Sequence, residues 1–166
     1  PRLNVRLRRF IRRRATVLLG GACVAVIAGA AVLAAGGYRK ARAEEKVTEW
    51  ISRGLVLQQD QRWEEAARSY QDALKLDPKN VRALGNLAII RKEQFNRQAQ
   101  GAPALLAEAN AYCDAALAVA PTNAGIWNVK GVVLKKLGQW GAAAAAYDNA
   151  LASESGQPEM RIAVYN

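Results

Sequence analysis

VTEWISRGLVLQQDQRWEEAARSYQDALKLDPKN, residues 47–80, decides how the rest of the chain is read. Within it Trp50, Gly54, Ala66, Tyr70 and Ala73 stand at intervals that recur 77 residues later as Trp127, Gly131, Ala143, Tyr147 and Ala150. A third copy lies between them. Leu84 and Ala88 follow Trp50 and Gly54 by 34 residues, whereas Ala109, Cys113 and Ala116 follow Ala66, Tyr70 and Ala73 by 43, so the middle copy carries a nine-residue insertion around residues 94–102. Asp77-Pro78 and Ala120-Pro121 close the first two copies, as expected where a proline ends one helix and starts the next. A fixed internal period of this length is the mark of a repeat array.

The unit resembles the tetratricopeptide repeat, a family whose helix-turn-helix of about 34 residues is marked by W-x-x-L/K-G, a small residue, an aromatic, Ala and Pro. The resemblance covers residues 47–157. It implies an all-α fold, an α-solenoid of three helix-turn-helix repeats at 47–80, 81–123 and 124–157, plus the start of a further helix at 158–166. It also implies the job of each residue type: Gly54, Gly131, Ala66 and Ala143 are small where two helices cross, and Trp50, Trp127, Tyr70 and Tyr147 fill the larger gaps. The departures are Cys113 in place of the aromatic, Ser155 in place of the last proline, and the insertion. Residues 158–166, PEMRIAVYN, carry apolar Met160, Ile162, Ala163 and Tyr165, which suit either a cap on the third repeat or the opening of further repeats. The second is the expectation.

Working toward the N-terminus, residues 38–46 are alternately charged and helical in character and form a connector. Before them, residues 15–37 read ATVLLGGACVAVIAGAAVLAAGG, 23 residues without a charge, against the ~20 needed to cross a bilayer as a helix. One transmembrane helix is expected there. A cleaved signal fits less well, because its apolar region is only about 7 to 15 residues, and Gly20-Gly21-Ala22 before Cys23 does not suit a lipoprotein site. Gly21, Ala25 and Gly29 stand four apart, a ridge that would let a partner helix approach closely.

Residues 1–14 hold seven of the 24 basic residues and none of the 14 acidic ones, so most of the net charge of +10 is concentrated there. Leu3, Leu7, Phe10 and Ile11 alternate at helical spacing with arginines, giving a basic amphipathic segment on which Arg6, Arg9, Arg12 and Arg13 would meet anionic lipid headgroups. The same bias orients a single-pass protein with its N-terminus in the cytoplasm. In a bacterial cell that places the span in the inner membrane and the repeats in the periplasm. Arg39, Lys40, Arg42, Lys46 and Arg53 on the far side, diluted by Glu44, Glu45 and Glu49, weaken the contrast.

Catalytic readings fail on composition. There is no histidine, which removes imidazole acid-base schemes and the commonest zinc sites. No phosphate-binding glycine loop or paired-cysteine motif is present, and Cys23 and Cys113 read as small buried hydrophobes. No enzyme, cofactor or metal is expected. Basic residues after the span are balanced by acids and lack interleaved aromatics, which argues against nucleic acid.

A binding surface remains. Resemblance to the family implies that the first helix of each pair lines a concave groove, here with Thr48, Ile51, Leu55, Gln58 and Gln59 from the first repeat. The second would add Arg82, Ile89 and Lys92, and the third Asn128, Val132, Lys135 and Lys136. The groove would take a peptide or protein segment with apolar anchors and acidic neighbours. It differs from the carboxylate clamps that hold chaperone C-termini, since Ile51 and Leu55 stand where those use lysine and asparagine. The expected function is a membrane-anchored adaptor or assembly subunit of a larger membrane complex. Its alternatives are a cytoplasm-facing scaffold and a non-catalytic arm of a larger enzyme.

Overall fold

The computed structural model describes residues 2–98 and 102–155, and for residues 2–28 and 155 it describes the backbone alone. Among the described residues every regular element is a helix: α1 (Arg2–Gln59), α2 (Trp63–Leu76), α3 (Val81–Arg97), α4 (Pro103–Val119), α5 (Ala124–Lys136) and α6 (Trp140–Ser155). The chain divides into two compact units, Pro1–Ala43 and Glu44–Asn166.

In the first unit the backbone is helical from Arg2 onward, Gly36 and Gly37 included. Residues 29–42 are exposed, with Val32 and Leu33 among the large apolar side chains in contact with solvent. Among the described residues no helix is long and apolar enough to cross a membrane. Of the span expected at 15–37, residues 15–28 lie outside the described side chains. So do Arg6, Arg9, Arg12 and Arg13, and Gly21 and Ala25 of the small-residue ridge; at Gly29 an added Cβ would meet open space.

The second unit stacks three helix pairs: the end of α1 with α2, α3 with α4, and α5 with α6. Turn chemistry sets the joints between pairs. Asn80 and Asn123 cap α3 and α5, each accepting a hydrogen bond through Oδ1, from the Ala83 amide at 3.1 Å and the Ile126 amide at 3.0 Å. Such caps satisfy amides that have no partner inside the helix. Within pairs 1 and 3 the turn passes through the left-handed region, at Gln61 (φ 60°) and Gly138 (φ 75°), equivalent positions two repeats apart. The hydrogen bonds match as well: the Arg62 amide donates to Leu57 O at 2.8 Å, and the Gln139 amide donates to Leu134 O at 3.0 Å.

Each pair closes on a small residue facing a larger one. A Cβ added to Gly54 would sit 2.6 Å from Tyr70 Cε1, and one added to Gly131 would sit 2.6 Å from Tyr147 Cε1. The middle pair has Ala88 and Cys113 at these places, both fully buried. A methyl group on one helix is thus matched by a smaller side chain on the other, which explains the missing aromatic in that repeat. Stacking then joins the pairs into one core. Leu87 and Ile90 of α3 pack on Ala67, Tyr70 and Ala73 of α2, and Val133 of α5 packs on Leu106 and Ala109 of α4. Between α4 and α5 the Lys130 ammonium meets Asp114 at 2.5 Å.

The helices of the middle pair are the longer ones among α2 to α6: α3 and α4 have 17 residues each, against 14 in α2, 13 in α5 and 16 in α6. The described part of the insertion is ordered by contacts. Phe95 packs against the buried cluster of Leu106, Ala109 and Val133, and Lys136 Nζ stands 5.8 Å from the Phe95 ring centroid. The further helix expected at 158–166 lies outside the described residues.

Candidate partner-binding surface

The expected groove residues sort into rows, because equivalent positions of α1, α3 and α5 come one from each repeat. Leu55, Ile89 and Val132 share one position, and all three are half-buried. They form an aliphatic row with part of each side chain open. Gln58, Lys92 and Lys135 follow one turn later, and Gln59, Glu93 and Lys136 come next to them. The flank is therefore neutral in the first repeat and basic in the third.

Ile51 does not belong to this surface. It is 3% exposed and lies in the core with Val47, Leu57 and Tyr70, so the aliphatic centre begins at Leu55. The family resemblance placed it in the groove, but a solenoid helix buries side chains toward both its own partner and the next pair, leaving only a narrow open stripe. Thr48 is exposed and donates through its hydroxyl to Glu44 O at 3.0 Å. Gln58 is held by the Tyr70 hydroxyl, which donates to its Oε1 at 3.2 Å. Gln59, Arg82, Asn128, Lys135 and Lys136 are all exposed.

The charges are arranged to attract acids without being free of their own. Lys92 pairs with Glu93 at 2.9 Å. Burial pushes the Glu93 carboxyl up, but hydrogen bonds from Lys92 and Asn96 and the charges of Lys92 and Lys136 outweigh it, leaving the group below its ordinary range and ionised at neutral pH. Lys135 and Lys136 lie in the last turn of α5, where positive charge also suits the helix dipole.

No reactive centre accompanies these residues in the described part. Burial lifts the Cys113 thiol to about 12, with the Asp114 charge adding to the effect and Lys130 opposing it. A thiol so protonated is not a nucleophile at neutral pH. Burial likewise lifts the Tyr70 phenol to about 12. Among the described residues no group of three or more acids and cysteines is placed to hold a metal ion.

Residues 47–80 match the family model of the tetratricopeptide repeat. No curated protein sequence matches the chain. Solved structures do. The TPR domain of OM64 from Arabidopsis matches at a TM-score of 0.59 and 22% identity, covering 67% of this chain and 84% of that one. The TPR2B domain of yeast Sti1, in a complex with pHsp70, matches at 0.60 and 19% identity, covering 67% and 82%. The second TPR domain of Spaghetti (RPAP3), bound to the HSP90 peptide SRMEEVD, matches at 0.58 and 17% identity, covering 66% and 94%. The repeats thus have the fold of a tetratricopeptide-repeat solenoid, all-helical among the described residues.

Proposed function

We propose that this chain is a membrane-anchored, non-catalytic adaptor that holds a peptide segment of a partner protein along Leu55, Ile89 and Val132. The observation that carries the reading is this aliphatic row with Lys92, Lys135 and Lys136 beside it. Apolar anchors seated on the row supply affinity, and acidic neighbours meeting the lysines set the direction and speed of docking. The peptide SRMEEVD bound by one structural relative is acidic in the same sense. Here the place of a clamp lysine is taken by buried Ile51 and that of a clamp asparagine by Leu55. The partner's acidic side chains, and not a terminal carboxylate, are then the groups recognised.

The anchor rests on the uncharged stretch at 15–37, bracketed by Arg12, Arg13 and Arg14 and by Arg39, Lys40 and Arg42. It makes the protein a subunit of a membrane assembly, with the ridge at Gly21, Ala25 and Gly29 meeting another helix in the bilayer and the N-terminal arginines meeting anionic lipid. Orientation by the arginine bias puts the repeats in the periplasm of a bacterial inner membrane.

Photo-crosslinking amino acids placed in cells at Ile89 and Val132 test the groove, with Leu76 and Val119 as exposed controls on α2 and α4. Adducts from the first two and not the controls support the reading; adducts from the controls alone sink it. Topology is tested separately with an impermeant thiol reagent and Asn149→Cys, an exposed position, since Cys113 is buried and stays silent. Labelling only after lysis would reverse the orientation and make the chain a cytoplasm-facing scaffold.

A further inference from the structure

The groove repeats its aliphatic row in all three repeats but leaves positive charge unspent in only one. Where the first repeat has Gln58 and Gln59, the second has Lys92 and Glu93 and the third has Lys135 and Lys136. The first set is neutral by composition and the second by pairing. Lys92 meets one Glu93 oxygen at 2.9 Å, and Asn96 Nδ2 donates to the other at 3.0 Å, so that the carboxylate is fixed beside its lysine with both side chains half-buried.

The third set is open. Lys135 and Lys136 are exposed, and among the described residues neither takes part in an ion pair. Lys136 lies against the Phe95 ring, a contact that steers its ammonium without neutralising it. The first repeat has the opposite bias, because the charge that follows Gln59 is the exposed carboxylate of Asp60. Arg82 is the remaining cation of the groove, but it stands in the first turn of α3, ten residues before Lys92. That is roughly 15 Å along the helix, at the other edge.

The spacing across the row follows from how closely α3 and α5 approach. Gly85 leaves room for the Ile126 side chain, and a Cβ added there would collide with Ile126 Cδ1. Helices packed in this way stand roughly 8 to 10 Å apart, or about three residues of extended chain. Lys135 comes one turn after Val132 on α5. We propose that the groove takes a polarised segment of its partner, with aliphatic anchors about three residues apart and aspartate or glutamate only at the end that lies over the third repeat. This deepens the reading of the row as a peptide groove and rests on it. Acids over the second repeat would have to displace Glu93, and acids over the first would be desolvated beside no cation and near Asp60. Their position therefore fixes which way round the segment lies.

Random peptides displayed on phage and selected on the full chain in detergent micelles test this. Enriched sequences should carry acids on one side of their aliphatic residues only. A photoreactive residue beside the acids should label α5, and one at the far end should label α1. Lys135→Gln combined with Lys136→Gln should weaken an enriched peptide roughly tenfold at low salt, whereas Lys92→Gln and Arg82→Gln should each cost less than about twofold. Glu93→Gln, which frees Lys92, should draw acids toward the middle of the segment on reselection. Acids spread evenly, labelling of α1 from the acidic end, or an equal loss from Lys92→Gln would overturn the polarity and leave the groove standing. Labelling confined to α2, α4 or α6, or no enriched sequence at all, would sink the groove and the polarity with it.

Discussion

The first and third repeats share their marker residues at matched spacing and close their helix pairs in the same way, with a tyrosine edge filling the space a glycine leaves on the opposite helix. They differ in what comes next. Tyr70 is fully buried because α3 lies over α2, whereas Tyr147 on the last described helix is only half-buried. Geometry within a pair therefore belongs to the pair, and burial belongs to its neighbour.

Truncating the two tyrosines tests that division most severely. Tyr70→Ala should cost about 3 to 5 kcal/mol, as for other large buried rings, and Tyr147→Ala clearly less. Equal losses in chemical denaturation would mean that the third repeat is covered as fully as the first. The middle repeat offers a sharper test of pair geometry. Cys113→Tyr alone should overpack against Ala88 and cost about 1 to 3 kcal/mol, and Ala88→Gly should recover part of that loss in a double-mutant cycle. Additive effects would show that the two positions do not face each other.

Smaller effects follow at the turns and in the groove. Gln61 occupies a left-handed conformation that Gly138 adopts without cost two repeats later, and its side chain accepts a hydrogen bond from Arg97 Nη2 at 2.7 Å. Gln61→Gly should stabilise by up to about 1 kcal/mol, less whatever that exposed bond contributes. A loss on melting would show that the bond outweighs the strain. Glu93 has its carboxyl held below the ordinary range in the folded chain. Its contribution is present above the ordinary carboxylate pKa and disappears as pH falls through the lower, folded value. The stability gap between the wild type and Glu93→Gln should therefore shrink on acidification, and a gap that widens would reverse the sign.

The repeat architecture was legible because glycine, alanine and aromatic residues at helix crossings leave a spacing that survives the insertion. The compensation of Ala88 by Cys113 was not read from the sequence, where Cys113 stood only as a departure and Ala88 only as a spacing match; it needed the packed pair. Ile51 was misplaced because α1 offers aliphatic residues on adjacent stripes, and only the packed neighbour distinguishes the buried Ile51 from the half-buried Leu55. The left-handed turn at Gln61 carried no signal, since glutamine does not advertise that conformation as Gly138 does. Periodicity also reads a face without saying whether it is covered, which is why the exposure of Trp140 emerged only from the stacked helices.

The alternation of glycine with tyrosine and alanine with cysteine also governs how this chain can be recombined. A chimera placing α3 against α6 would bring Ala88 onto the Tyr147 ring, and one placing α5 against α4 would leave a void between Gly131 and Cys113. Whole pairs carry both halves of the match. The transplantable module is therefore the pair bounded by its Asp-Pro or Ala-Pro joint, and grafts cut at the turn inside a pair should misassemble even where every helix is individually sound.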